Sequence, residues 1–216
     1  MDWEQARFNM VEQQIRPWDV LDLTVLQLLS EVKRENFVPA ARREMALVDM
    51  EIPLGPNTRM WSPKLEARAV QEVALTGKER VLEIGSGSGY VAALLGKLAL
   101  HVYSVEIDPA QAEQARANLA AAEIHNVTVE TGDAVMGWSK HAPYDVIVAS
   151  GSYPLAPEFL FEQLSEGGRL FAIVGEAPAM TGTLFTKTAG KVVARTMFET
   201  VVDPLLNAPQ PERFVF

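Results

Sequence analysis

The chain has 216 residues, 48% hydrophobic and 22% charged, enough for one well-buried globular domain with an added N-terminal segment. It contains no cysteine, which excludes disulfides, thiolate metal sites and cysteine nucleophiles and fits a cytoplasmic setting. A net charge of −9 opposes binding to phosphate backbones, and there is neither a signal-peptide pattern nor an apolar run of about 18 residues, so no nucleic-acid or membrane partner is expected.

The first 80 residues read as helical. Leu and Val recur at helical spacing from Val20 to Val32, with Asp19 or Asp22 as the start. Phe37-Val38-Pro39 ends that region, and Pro39 to Arg43 opens a short second helix. Residues 52–63 read as a loop, punctuated by Pro53, Gly55, Pro56, Asn57 and Pro63. Lys64 to Leu75 form a strong helix closed by Thr76-Gly77. From residue 80 the pattern alternates. Short β-branched runs at 80–84, 101–105, 127–130, 145–149 and 169–174 are separated mostly by helical stretches at 89–99, 109–122 and 157–165. Asp108 and Pro109 give the second of these a clean start. Runs at 183–187 and 192–199 flank Ala189-Gly190 as a β-hairpin. The chain therefore reads as an α/β protein: a mostly parallel, Rossmann-like sheet with antiparallel C-terminal strands and added N-terminal helices. Residues 1–78 form the helical segment and 79–216 the core of one compact domain.

The stretch VLEIGSGSGY, residues 81–90, places three glycines directly after the first core strand. Glycines at a strand-to-helix turn let a ligand approach the main chain, and the following helix start offers free N–H groups. Two acids follow at successive strand ends. Glu106 stands 21 residues after Gly85, placed to accept hydrogen bonds from two ribose hydroxyls. Asp133, in the Gly132-Asp133 turn, is placed to meet an adenine amine. Each has a plainer reading as a tight turn or a solvated strand end, but the three fall on one edge of one sheet, where open α/β sheets bind ligands. The dinucleotide fingerprint wants Gly or Ala where Tyr90 stands, which disfavours a nicotinamide oxidoreductase, and no Gly-Lys-Ser/Thr follows.

The spacing Glu83-x-Gly85-x-Gly87-x-Gly89 resembles the first motif of S-adenosylmethionine (SAM) methyltransferases. The likeness extends from about residue 35 to 205. VLEIGSGSGY, VYSVEIDPAQAEQARANL, HNVTVETGDAVMGW and APYDVIVASGSYPLAP follow in order, with Asp49-Met50-Glu51-Ile52-Pro53-Leu54-Gly55 upstream. Together they resemble the protein-L-isoaspartate O-methyltransferase family, with Gly137-Trp138 a rather specific mark. The resemblance implies that SAM is held by Glu83, Gly85, Ser86, Gly87, Ser88, Glu106, Ile107, Gly132, Asp133 and Ala134. It implies an acceptor that is the isoaspartyl carboxylate of a damaged protein or peptide, and a loop at 55–63 that closes over it. Glu83 would favour the cofactor's ammonium. The chain departs from the family pattern at three places. Arg59-Met60-Trp61-Ser62-Pro63 stands where the family reads Thr-Ile-Ser-(Gln or Ala)-Pro, Asp133-Ala134 replaces an Asp-Gly, and Val-Val-Asp-Pro-Leu at 201–205 replaces a Phe-Val-Pro-Leu ending.

A carboxylate is ionised at neutral pH, so this transfer requires no general base, only positioning and desolvation. His125 and His141 read as surface-loop residues. Arg59, Trp61 and Ser62 are the candidate acceptor-side residues. Arg59 can clamp a carboxylate with two parallel hydrogen bonds, or stand as a solvated loop arginine. Trp61 covers the cofactor or packs over the next helix. Ser62 reads best as that helix's N-cap. Tyr90 and Trp138 read as packing residues. The altered 59–62 loop keeps open another acceptor, a small anionic molecule or a different protein site, and a SAM-binding module without repair activity.

Overall fold

The computed structural model describes residues 2–56 and 58–212; Asn57 and the last four positions of the 79–216 core lie outside the described residues. Helix α1 (Trp3–Met10) starts at Asp2, whose side chain accepts from the Gln5 N–H, and runs into a π turn at Val11–Ile15 and a 3-10 turn at Arg16–Trp18. Helix α2 (Leu23–Glu31) takes Asp22 rather than Asp19 as its cap: the Asp22 carboxylate accepts from the Thr24 and Val25 N–H groups. Its Val25, Leu26, Leu28 and Leu29 are buried. The helix expected from Pro39 is instead a 3-10 stretch, Ala40–Met45, with no buried residue to anchor a longer α-helix. The expected loop at 52–63 holds a two-stranded hairpin, β1 (Ile52–Pro53) and β2 (Arg59–Met60), pinned by the buried Ile52 and Met60. Helix α3 follows at Pro63–Glu72.

Seven further strands make one sheet: β3 (Arg80–Ile84), β4 (His101–Glu106), β5 (Val127–Thr131), β6 (Tyr144–Tyr153), β7 (Leu164–Glu176), β8 (Ala179–Thr188) and β9 (Lys191–Glu199). Their order is β5-β4-β3-β6-β7-β8-β9. The first five pair in parallel and the last two antiparallel, as the alternating sequence and the final hairpin imply. Successive residues of each strand serve two cores. Val81, Val102, Val146 and Val148 join the core shared with the N-terminal helices, α4 (Tyr90–Leu98) and α5 (Pro109–Ala121). Leu82, Ile84, Val105 and Ile147 face the opposite core with Tyr144, Leu160 and Leu164. The covering element there, expected as a helix at 157–165, is a 3-10 stretch at Glu158–Gln163 with a single buried side chain, Leu160.

Strand succession runs outward from β3 to β5, then returns to the other side of β3 with β6. This reversal opens a crevice beyond the carboxyl ends of β3 and its neighbours, where α/β sheets take their ligands. Among the described residues, no helix is long and apolar enough to cross a membrane.

Candidate active site

The glycine loop is bent over the end of β3. Gly87 has φ of +50°, and a Cβ added there would lie 3.3 Å from Leu54 of the hairpin region. Gly89 (φ +81°) also brings α4 and α5 together, since a Cβ there would meet the Ala115 backbone at 3.3 Å. Tyr90 turns into the N-terminal core instead, edge-on to Phe37 and beneath the Arg34 guanidinium. The third glycine thus serves a helix–helix contact, not the helix–strand contact that the dinucleotide pattern assigns to the position of Tyr90.

Three acids stand at the strand ends beside this loop. Glu106 shapes it: one carboxylate oxygen accepts from the Gly87 N–H at 2.8 Å, the other from the Asp108 N–H at 3.1 Å. Each oxygen keeps a lone pair for a ligand hydroxyl. Glu83 is fully buried and accepts from Ser104 Oγ at 2.5 Å and Ser150 Oγ at 3.2 Å. Burial outweighs those hydrogen bonds and, with the nearby Glu106 charge, lifts its pKa from 4.5 to about 8. Asp133 accepts from the Val135 N–H at 3.0 Å and from the Asn207 side-chain amide at 2.8 Å. Gly132 beside it is imposed by packing, since a Cβ would lie 2.6 Å from the Trp138 ring.

These groups line a cavity of about 300 Å³, at the low end of the range for small-molecule sites. All ten cofactor-side residues expected from the sequence reach it, from Glu83, Gly85, Ser86, Gly87 and Ser88 through Glu106 and Ile107 to Gly132, Asp133 and Ala134. Arg59 and Trp61 line it as well, and Ser62 does not. Ser62 also fails as a side-chain cap. It occupies the N-cap position of α3 without a side-chain hydrogen bond, while its carbonyl accepts from Leu65 and Glu66 and Pro63 needs no partner for its nitrogen.

The acceptor side of the cavity is built from three distant segments. Trp61 is 5% exposed, and its carbonyl accepts from Arg34 Nη2 at 2.5 Å. Arg34 is itself buried against Glu66, with Nε to Oε2 at 2.7 Å. Burial of Glu66 prevails over this partner and raises its pKa to about 7. Arg59 donates through Nε to Asp203 Oδ2 at 3.1 Å. Glu51 stands near both; burial and the Asp203 charge raise its pKa, and Arg59 lowers it. Asp203 opens a C-terminal stretch held to β6, with the Ser152 N–H donating to its carbonyl and the Leu205 N–H donating to the Ser152 carbonyl. From there Leu205 packs on Gly85 and Gly151, and Asn207 reaches Asp133.

Sequence reasoning passes over Glu51, Glu66, Ser150, Asp203 and Leu205, all cavity-lining. The blurred 201–205 ending is the one signal for Asp203 and Leu205. None of the three histidines is among the lining residues. His141 stacks on Tyr103 with ring centroids 3.9 Å apart and bonds Glu130, so it is half-buried structure rather than a plain loop residue.

The chemistry of this set suits an adenosyl amino acid. Glu83 is a buried carboxylate that no lysine or arginine pairs among the described residues, which an ammonium would complete. Gln111 Oε1, at the Glu106 end, is a buried acceptor without a partner among the described residues. Ile107, Val105 and Leu205 supply apolar walls.

A family model described as protein-L-isoaspartate(D-aspartate) O-methyltransferase matches residues 6–208. A protein-L-isoaspartate O-methyltransferase of Synechococcus sp. is 37% identical over 207 residues, 93% of this chain and 85% of that protein. One from Rhodopseudomonas palustris is 43% identical over 169 residues, 78% of this chain and 69% of that protein. A solved protein-L-isoaspartate O-methyltransferase superposes with a TM-score of 0.78 at 27% identity, covering 94% of this chain and 65% of that one. A Plasmodium falciparum chain crystallised with S-adenosyl-L-homocysteine shares the fold at TM-score 0.77 and 18% identity, over 95% of this chain and 98% of that one. The chain belongs to the protein-L-isoaspartate O-methyltransferase family.

Proposed function

We infer that this chain is a SAM-dependent O-methyltransferase that esterifies the isoaspartyl carboxylate of damaged proteins. The observation that carries the reading is one cavity in which a glycine loop and three strand-end acids of a nucleoside site adjoin an arginine suited to an anionic acceptor. When bound, SAM supplies a sulfonium methyl group: the C–S bond breaks as the carboxylate O–C bond forms, and the adenosyl thioether leaves neutral.

The chain's own residues do the rest. Glu106 orients the ribose side through the lone pairs it keeps. Glu83 gives up its proton to meet the ammonium. Asp133 meets the base through the lone pairs left free beside Val135 and Asn207. Glycine at 87 admits the ligand against the main chain, Trp61 and Leu205 exclude water, and Arg59 holds the acceptor carboxylate. No residue needs to remove a proton from an ionised carboxylate.

Residues 1–78 serve in this reading as the acceptor-side segment of one compact domain whose cofactor core is 79–216. A continuous apolar cluster from Ile15 and Leu29 through Trp61 to Val91 and Phe171 supports that division of labour within one unit. A cytoplasmic setting and partners other than nucleic acid belong to the same proposal; the net charge of −9 supports the latter.

The test is methyl transfer from labelled SAM to a peptide carrying one L-isoaspartyl residue. We expect a base-labile ester that releases methanol, and no label on the same peptide with an ordinary aspartyl residue. S-adenosylhomocysteine binding without ester formation would transfer the assignment to a different acceptor. The loss of the family's hydroxyl positions to Arg59 and Trp61 is the observation that favours that second reading.

A further inference from the structure

Two of the departures from the family pattern, at Arg59 and at Asp203, lie 144 residues apart in the sequence and touch in the structure. Arg59, at the end of the hairpin, donates through Nε to Asp203. Asp203 is not free to wander: its carbonyl accepts from the Ser152 N–H at 3.1 Å, and the next residue, Pro204, bridges Ser152. Both side chains are about half exposed, 50% and 59%, so the pair contributes little to stability. Its effect must then be sought in where it holds the guanidinium.

A guanidinium has five N–H donors in a rigid plane. Here the Nε edge is occupied, while Nη1 and Nη2 form no hydrogen bond with the described residues. Those two nitrogens make the end-on fork that grips a carboxylate bidentately. We propose that Asp203 is a positioning residue for the methyl acceptor: it tethers Arg59 by Nε at the cavity wall and leaves the Nη fork for the acceptor carboxylate. This rests on the reading of the site as a carboxylate methyltransferase. An untethered arginine would have to lose its side-chain freedom on binding, and the tether removes that cost in advance.

The test is equilibrium binding of a fluorescent peptide with one L-isoaspartyl residue to the protein saturated with S-adenosylhomocysteine. Steady-state kinetics and thermal unfolding of the same variants accompany it. Asp203→Asn should weaken peptide binding about three- to tenfold, the range for freeing one long side chain. KM should rise in parallel, with kcat within about twofold and S-adenosylhomocysteine affinity unchanged. In an Arg59→Ala background Asp203→Asn should have no further effect. Arg59→Lys keeps the charge but lacks the fork, and should bind as poorly as Arg59→Ala. The swap Arg59→Asp with Asp203→Arg rebuilds an ion pair and should not restore peptide binding.

Equal or tighter binding by Asp203→Asn would overturn the proposal, marking Asp203 as a competitor for Arg59. So would an undiminished Asp203→Asn effect in the Arg59→Ala background. If the unaltered protein binds S-adenosylhomocysteine and no isoaspartyl peptide, the functional reading fails first and takes this proposal with it.

Discussion

The two ends of the cavity are made differently. The cofactor end rests on neighbouring strand tips, where backbone N–H groups of two loops, at Gly87 and Asp108, donate to the Glu106 carboxylate. The acceptor end is assembled from a hairpin of two-residue strands, a buried arginine and a C-terminal stretch, bridged by the side chains of Arg34 and Arg59. An end made of backbone keeps its shape through many substitutions, whereas an end made of side-chain bridges can be retuned one residue at a time.

The sharpest way to break the acceptor end is to remove its buried support. Arg34→Met leaves Glu66 without its partner and the Ala46 and Trp61 carbonyls without a donor. Loss of one partner from a buried pair costs about 3–5 kcal/mol. Thermal unfolding should show a larger fall in Tm than for any single change at Arg59, Glu83, Glu106 or Asp203, with peptide binding lost at temperatures where S-adenosylhomocysteine still binds. At the cofactor end, Glu106→Ala removes the proposed ribose acceptor and frees two loop N–H groups. Hydrogen bonds to a charged group are worth about 1.5–3 kcal/mol, so S-adenosylhomocysteine affinity should drop about 10- to 100-fold by calorimetry. An unchanged affinity would remove Glu106 from the site.

A third experiment reads protons. The folded pKa of Glu83, about 8, lies above its ordinary 4.5. Between those values the folded protein keeps a proton that the unfolded chain has lost. The stability Glu83 contributes is therefore full below pH 4.5 and is lost as pH rises through 8. Glu83→Gln should flatten the ligand-free Tm across that window. S-adenosylhomocysteine, carrying an ammonium, should expel about one proton from the unaltered protein at pH 7 and none from Glu83→Gln, measured by calorimetry in buffers of different ionisation enthalpy. The smallest effect is expected at the rim. Glu51→Gln removes a neighbouring acid from the Arg59 site, and KM for an isoaspartyl peptide should fall by about twofold, as suits a partly screened charge.

The same contrast explains what is legible in the sequence. Strand alternation, the Gly85–Gly89 turn, Glu106 and the Asp133 turn are local signals, written within a few residues of the backbone feature they serve. The sheet and the cofactor side of the cavity follow from them. Arg59 and Trp61 stand out in the sequence and do line the cavity, but the meaning of Arg59 depends on Asp203, and no periodicity links positions so far apart. Ser62 misleads because its residue type suits a cap, while Pro63 and the Ser62 carbonyl already settle the start of α3. The Pro39 and 157–165 segments have α-helical spacing but lack the buried face that sustains such a helix. The Arg34–Glu66 pair is invisible for a simpler reason: two charged residues in amphipathic stretches look solvated until the fold encloses them.

The stretch at 203–208 sets the order in which the protein becomes competent. All seven strands of the large sheet are complete by Glu199, yet Leu205 still has to close on Gly85 and Gly151, and Asn207 on Asp133. A nascent chain halted after its final strand would own a finished sheet and a binding chamber open along one side. Ligand capture is thereby deferred until residues 205–207 have been added.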